Sequence, residues 1–236
     1  MALPKIAAPK YNLVVPSTGE EINYRPYLVK EEKVLMLAME SKDQNQQINA
    51  LKDVITGCTE GKIKADKLSI FDLEYIFLKL RSKSVGEHSD IMVKCNHCEA
   101  KNSISINLEE VEISGDLQKE SNIKLTDTVG VILKYPTVKG FQRTLGKDKN
   151  KDNIEQVMST ITSMIDSIYD EEEVYMAENE SEKALVEFLE SLTSDQFKKI
   201  TDFMTNMPKL SHDISFDCES CKENNQVVIE GLQNFF

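Results

Sequence analysis

Four of the five cysteines stand as two Cys-x-x-Cys pairs, Cys95-Asn96-His97-Cys98 and Cys218-Glu219-Ser220-Cys221. At this spacing a tight turn can aim both sulfurs at one point. Four thiolates at about 2.3 Å close a tetrahedral zinc site that leaves no open position for water, so the expected metal role is structural rather than catalytic. Structural zinc contributes ~10–16 kcal/mol of folding free energy at neutral pH. That is as large as the whole stability of a typical domain, ~5–15 kcal/mol. Lys94, Lys101 and Lys222 flank the pairs and would offset part of the negative charge of such a centre.

Other uses of the cysteines fit less well. A redox Cys-x-x-Cys opens a helix after a strand, whereas strand-like alternation flanks both pairs here. Disulfides need an oxidising compartment. Zinc-ribbon knuckles usually lie ~15–20 residues apart, but 119 residues separate Cys98 from Cys218. The knuckles must therefore meet either through a long excursion of one chain or across a homodimer. His97 sits inside a knuckle as an alternative ligand, made unnecessary by four cysteines. Cys58 shares a helical apolar face with Leu51, Val54 and Ile55 and reads as core.

The elements that must position the knuckles are strands. Ile91 and Val93 alternate with Met92 and Lys94 before the first pair, and Ile104, Ile106 and Leu108 alternate with Ser105 and Asn107 after it. A period of two is what a half-buried strand requires. Moving the first knuckle by 123 positions lays it on the second, with Asp90/Asp213, Ile91/Ile214, Asn102/Asn225 and Ile106/Ile229 identical. Asn102 and Asn225 are expected in hairpin turns, where asparagine tolerates a left-handed backbone. Apolar helices, Phe71 to Leu80 and Phe197 to Met207, precede the two knuckles, which extends the repeat to helix plus hairpin.

Composition narrows the function. The chain has 236 residues, 40% of them hydrophobic, and a net charge of -12. That balance disfavours non-specific phosphate binding. The longest apolar run, Val34 to Met39, is far short of a bilayer span. The first residues lack the apolar segment of a signal peptide, and an odd cysteine count then points to a reducing cytoplasm. No Gly-rich phosphate loop or His-x-x-x-His pair occurs, and no nucleophile is paired with a base. Catalytic residues are therefore not expected.

The rest of the chain is read as an α+β fold: a mostly helical body with short antiparallel strands and a discontinuous four-Cys zinc-ribbon-like hairpin pair. Residues 1–28 form an extended arm or hairpin, with strands Tyr11–Val15 and Glu21–Arg25 around the turn Pro16–Gly19. Leu3, Ile6 and Tyr11 find little local core there, which suits an arm that docks on a partner. Residues 29–87 are helical: one helix from Val29, a polar break at Ser41–Gln47, a second helix ended by Gly57 and Gly61, and a third capped by Ser69. Residues 88–110 with 211–236 make the ribbon-like unit, and 111–210 are an insertion. Residues 109–150 read as mostly strand and loop, with a basic stretch at Lys139, Arg143, Lys147, Lys149 and Lys151. Asp152 then caps a helix whose stripe runs Ile154, Val157, Ile161, Met164/Ile165 and Ile168. The acidic block Asp170–Glu173 ends it. Ser181 and the box Thr193–Gln196 start two more helices. Phe235 and Phe236 either pack internally or anchor a partner.

The N-terminal residues are more specific. Leu3-Pro4-Lys5-Ile6, Pro16-Ser17-Thr18-Gly19 and Tyr24-Arg25-Pro26-Tyr27-Leu28-Val29-Lys30-Glu31-Glu32-Lys33 resemble the opening of the baseplate hub assembly proteins of T-even-type contractile-tailed bacteriophages. The resemblance extends along most of the chain in size and in the order of helix then Cys hairpin. It implies a viral, non-enzymatic protein that helps to build the tail baseplate hub, as an assembly chaperone or minor hub component. Its expected partners are other hub subunits and, in a homo-oligomer, copies of itself, with neither nucleic acid nor membrane. Its expected location is the host cytoplasm during assembly and then the tail baseplate of the virion. The competing reading is a zinc-ribbon adaptor for nucleic acid or transcription machinery. The zinc assignment to Cys95, Cys98, Cys218 and Cys221 rests on spacing, not on the resemblance.

Overall fold

The computed structural model describes residues 6–41, 43–115, 117, 121–146 and 153–235. The chain divides into two compact units, Met1–Ser114 with Pro208–Phe236, and Gly115–Met207. Seven α-helices and short, wholly antiparallel sheets make up the described residues, an α+β fold. No helix among them is long and apolar enough to cross a membrane.

The first unit begins with the hairpin β1 (Tyr11–Val14) and β2 (Glu21–Tyr24), in which Tyr11 faces Tyr24 and Val14 faces Glu21. Alternation gives each strand one apolar side, and Leu13, Val15, Ile22 and Tyr24 are buried. The hairpin is therefore packed core rather than a free arm, and of the described residues before it Ile6 is 96% exposed. What anchors it is a carboxylate. Asp72, fully buried, accepts from the Ser17 N–H at 3.0 Å, from Ser17 Oγ at 2.5 Å and from Ser69 Oγ at 2.5 Å. The same residue donates its own N–H to Ser69 Oγ at 3.2 Å, the cap of α3 (below). One side chain thus ties the hairpin turn to a helix start, a long-range bond that spacing alone does not reveal.

Three helices follow: α1 (Val29–Glu40), α2 (Gln44–Cys58) and α3 (Ile70–Val85). Glu31 reaches back to the Leu28 N–H at 2.8 Å and pairs with Arg25 at 2.8 Å, fixing the entry to α1. The α2 helix starts inside the expected polar break because the Asp43 carboxylate accepts from the Asn45 N–H at 2.8 Å and the Gln46 N–H at 3.3 Å. It runs through Gly57 to Cys58. Glu60 at φ 56° and Gly61 at φ 73° take the left-handed conformation that marks the exit. The stripe of α3 buries Leu73, Ile76, Phe77 and Leu80, as its period predicts. The hairpin β3 (His88–Lys94) and β4 (Lys101–Asn107) comes next, then β5 (Glu112–Ser114).

The second unit holds β6 (Asn122–Lys124), β7 (Gly130–Leu133), α4 (Val138–Gly146), α5 (Asn153–Met164), β8 (Ile165–Tyr169), β9 (Val174–Met176), α6 (Glu182–Glu190) and α7 (Ser194–Thr205). Its sheet runs β6-β7-β8-β9. Leu125, Val131, Leu133, Ile161, Met164, Ile165, Leu185, Leu189, Ile200 and Phe203 form its core. Two expectations need correction here. Residues 138–146 are helical, not loop: Thr137 Oγ1 accepts from the Gly140 N–H at 3.1 Å and so caps α4. Lys139 and Arg143 therefore lie on a helix, while Lys147, Lys149, Lys151 and the expected cap Asp152 fall outside the described residues. The α5 helix also stops at Met164, short of Ile168. Ile165 and Ser167 turn inward and Asp166 outward, because the segment pairs with β7 and Asp166 meets Lys134 at 3.1 Å. Apolar residues at 161, 164, 165 and 168 suit a helix, but the β-branched pair and the waiting strand edge decide for β. The acidic block is accordingly a turn between β8 and β9, in which Asp170 accepts from the N–H groups of Glu172 and Glu173, each at 2.9 Å. The caps at Ser181 and at Thr193–Gln196 form as read.

The chain returns to the first unit through β10 (Lys209–Asp217) and β11 (Asn224–Glu230), giving a sheet ordered β11-β10-β5. Phe235 is fully buried and packs internally, and Phe236 lies outside the described residues. Of the two helices read as preceding the knuckles, α3 belongs to the first unit and α7 to the second, so the repeat is confined to the hairpins.

Lys209 pairs with Ser114 and Ser211 with Glu112. The second unit therefore leaves and re-enters at the end of one antiparallel pair, like an oversized hairpin loop. Replacing residues 115–208 by Asn-Gly should leave the first unit cooperatively folded, measured by thermal unfolding; a molten product would refute this. Asp72→Ala should cost about 3 kcal/mol by denaturant unfolding, since it leaves the buried Ser69 hydroxyl without its acceptor and releases the Ser17 turn from α3. Ser17→Gly, which removes one of three donors, should cost about 1 kcal/mol.

Candidate metal centre

Each knuckle closes on its own backbone. The Cys95 N–H donates to the Ala100 carbonyl at 2.9 Å and the Glu99 N–H to the Cys95 carbonyl at 3.0 Å. In the second hairpin the Cys218 N–H donates to the Glu223 carbonyl and the Lys222 N–H to the Cys218 carbonyl, both at 2.9 Å. The return of the chain requires one left-handed residue per knuckle: Glu99 at φ 59° and Lys222 at φ 63°. These two are related by the same 123-residue shift, yet neither is a residue type that advertises positive φ. The asparagines expected in that role, Asn102 and Asn225, lie instead in β4 and β11 and are buried at 2% and 1% exposure.

The two hairpins carry identical registers. His88 to Lys94 pair with Asn107 to Lys101, and Ser211 to Asp217 pair with Glu230 to Asn224. They bring the knuckles together within one chain. Cys95 Sγ lies 3.7 Å from Cys221 Sγ, and Cys98 Sγ 3.7 Å from Cys218 Sγ. All four sulfurs fall within 4.8 Å of one another. A tetrahedron with metal–sulfur bonds of ~2.3 Å has edges of about 3.8 Å, so the cluster fits four-thiolate ligation and could form a zinc site. The spacing is well beyond a disulfide bond of ~2.05 Å, and the cysteines are unbridged. His97 is exposed and outside the cluster. Cys58, buried, accepts from the Arg25 guanidinium at 3.7 Å, and burial pushes its thiol up to about 11, as befits an inert core residue.

The surroundings favour thiolates unevenly. Cys218 is held down to about 6, chiefly by the Cys221 N–H with help from the Ser220 N–H, against the opposing effect of burial. Burial pushes Cys95 upward, but the His97 N–H (3.3 Å from its sulfur) and the Cys98 N–H, with Asn225, carry it below the ordinary thiol value. Cys221 moves the other way, up to about 12: the Glu223 N–H favours its thiolate, but the sulfurs of Cys98, Cys95 and Cys218 together hold its proton. Four sulfurs this close cannot all ionise alone, and a cation at their centre removes the conflict. Cys95 and Cys218 are buried, Cys221 is half-buried and Cys98 is exposed, so the cluster opens to solvent on one side.

A second set of contacts joins the knuckles. The Asn96 N–H donates to Asn225 Oδ1 at 2.8 Å and the Glu219 N–H to Asn102 Oδ1 at 2.9 Å. Asn102 Nδ2 donates to the Ala100 carbonyl at 3.0 Å and Asn225 Nδ2 to the Glu223 carbonyl at 2.9 Å. The identity of the two asparagines was visible in the sequence; their reach across to the other hairpin was not.

Comparison with known proteins places the whole of this architecture in one family. The model of the T4 bacteriophage base plate protein matches residues 8–236, which include both hairpins and the inserted unit. No curated protein and no solved structure matches the chain. With the N-terminal hairpin, the four-cysteine joint and the insertion all inside the matched span, the chain belongs to the T4 bacteriophage base plate protein family.

Proposed function

We propose that this chain is a non-enzymatic protein of the baseplate hub, an assembly factor or minor component, that works by contacting other hub subunits. The observation that carries the reading is the family match over nearly the full length. In this reading the protein meets its partners in the host cytoplasm and takes its place in the tail baseplate. The four cysteines Cys95, Cys98, Cys218 and Cys221 hold one zinc ion, which supplies a rigid joint and no reaction.

The outer surface of α1 supports a role in subunit contacts. Val29, Met36, Leu37 and Met39 are 78%, 59%, 60% and 67% exposed, and Leu28 and Val34 are exposed beside them. So many large apolar side chains in the open on one short helix mark a surface that another subunit covers. Strand addition through the segment 11–24 is a poorer mechanism, because β1 and β2 already pair with each other.

Elemental analysis of the purified chain should find one zinc per chain. Its removal by a chelator should lower Tm by roughly 10 °C or more, as expected for a loss of several kcal/mol. A metal-free native protein whose four knuckle sulfurs alkylate freely would refute the zinc assignment. For the partner role, tagged chain expressed with the phage hub subunits should capture at least one of them. Met36→Glu with Met39→Glu should reduce that capture at least tenfold while leaving Tm within about 2 °C, since both side chains are exposed. Undiminished capture by the double variant would exclude α1 as the contact.

A further inference from the structure

We propose that Asn102 and Asn225 are positioning residues that dock the two knuckles on each other and thereby set the affinity of the metal site; the inference rests on the metal reading above. Each side chain makes the same pair of bonds, related by the 123-residue shift. The carbonyl oxygen accepts from the backbone N–H just after the first cysteine of the opposite knuckle, Asn96 or Glu219. The amide nitrogen donates to the carbonyl two residues earlier in its own hairpin, Ala100 or Glu223. The partners fix which end is which, since a backbone N–H can only donate and a carbonyl can only accept.

Position gives these bonds their leverage. Asn96 and Glu219 lie inside the four-residue loops that present the sulfurs, so holding them orients Cys95 with Cys98 and Cys218 with Cys221. Ala100 and Glu223 are also the acceptors that close each knuckle on Cys95 and Cys218. One asparagine therefore braces its own turn and clamps the other. Both are almost wholly buried, where a bond is worth most and a lost partner costs most. Close relatives fail here: aspartate cannot donate, leucine can do neither, and glutamine is one methylene longer in a packed site. Partners that orient metal ligands typically alter metal affinity 10–100-fold when removed. β3–β4 and β10–β11 belong to separate sheets, so no strand ladder joins the two hairpins. The sulfurs and the two asparagines do cross between them.

The test uses the full chain and two probes. Zn²⁺ affinity is measured by competition with a chromophoric chelator, and Co²⁺ replaces zinc to report the geometry of the site by its visible spectrum. Asn102→Leu and Asn225→Leu should each weaken Zn²⁺ binding 10–100-fold and shift or weaken the Co²⁺ bands. The diagnostic readout is cysteine alkylation, followed by mass spectrometry in chelator-treated protein. Asn225→Leu should accelerate alkylation of Cys95 and Cys98, although it lies in the other hairpin, and Asn102→Leu that of Cys218 and Cys221. Asn225→Asp keeps the crossing acceptor and should leave Cys95 and Cys98 protected, which guards against a leucine variant that merely misfolds. Acceleration confined to the mutated hairpin, or leucine variants with wild-type Zn²⁺ affinity within twofold, would overturn the inference. A wild-type chain that takes up neither Zn²⁺ nor Co²⁺ would instead overturn the metal reading beneath it.

Discussion

The first unit depends on bringing together two hairpins whose knuckles are 119 residues apart. Closing a flexible loop of that length costs about 4 kcal/mol beyond a constant term, by the logarithmic scaling of loop entropy. Three features oppose that cost: the pairing of β5 with β10, the crossing asparagine bonds and the four-sulfur cluster. The first brings the ends of the insertion together, and the second sets the knuckles in register. A metal in the cluster would contribute ~10–16 kcal/mol, more than the closure cost, so the meeting of the remote hairpins need not rest on apolar packing alone. This also explains why the hairpins are copies. Two like knuckles related by local two-fold symmetry place four equivalent donors around one point.

Around this joint the unit is held by buried polar anchors as much as by its apolar core. Asp72 secures the N-terminal hairpin to α3, and Glu31 with Arg25 secures the start of α1 against the end of α2, where Arg25 also donates to the Gly57 carbonyl at 3.3 Å. Lys79, nearly buried on α3, donates to the Glu109 carbonyl at 2.9 Å just after β4. Each anchor joins elements far apart in the chain and has its partners in place, the condition under which buried charge is tolerated. The stabilised unit can then leave the apolar surface of α1 open without losing its fold. That division of labour suits a baseplate component, which must be stable alone and still present a surface to its neighbours.

Sequence and structure agree most where the signal is local. Strand alternation beside each Cys pair, the Ser69, Ser181 and Thr193 caps, and the stripe of α3 all follow from the nearest few residues, and each forms as read. Readings went astray where distant partners decide. Ile165 to Ile168 continue a helical pattern but become β8, because β7 offers an edge to pair with. The proline-rich opening reads as an arm or a hairpin, and the bond from Ser17 to Asp72, 55 residues away, decides for a packed hairpin. The Thr137 cap was a local signal and could have been found; the apolar run before it and the basic residues after it obscured it.

By itself the sequence determined the fold class, the metal-ligand candidates and the duplication of the hairpins, because residue type and spacing carry all three. It also carried the resemblance to baseplate proteins. Tertiary structure alone decided that the four sulfurs meet within one chain rather than across a dimer. It alone showed that Asn102 and Asn225 bond across the hairpins instead of shaping their turns. The reason is physical: backbone propensity and hydrophobic period act over a few residues, whereas the direction of a side chain's hydrogen bond depends on which remote segment the packed chain delivers to it.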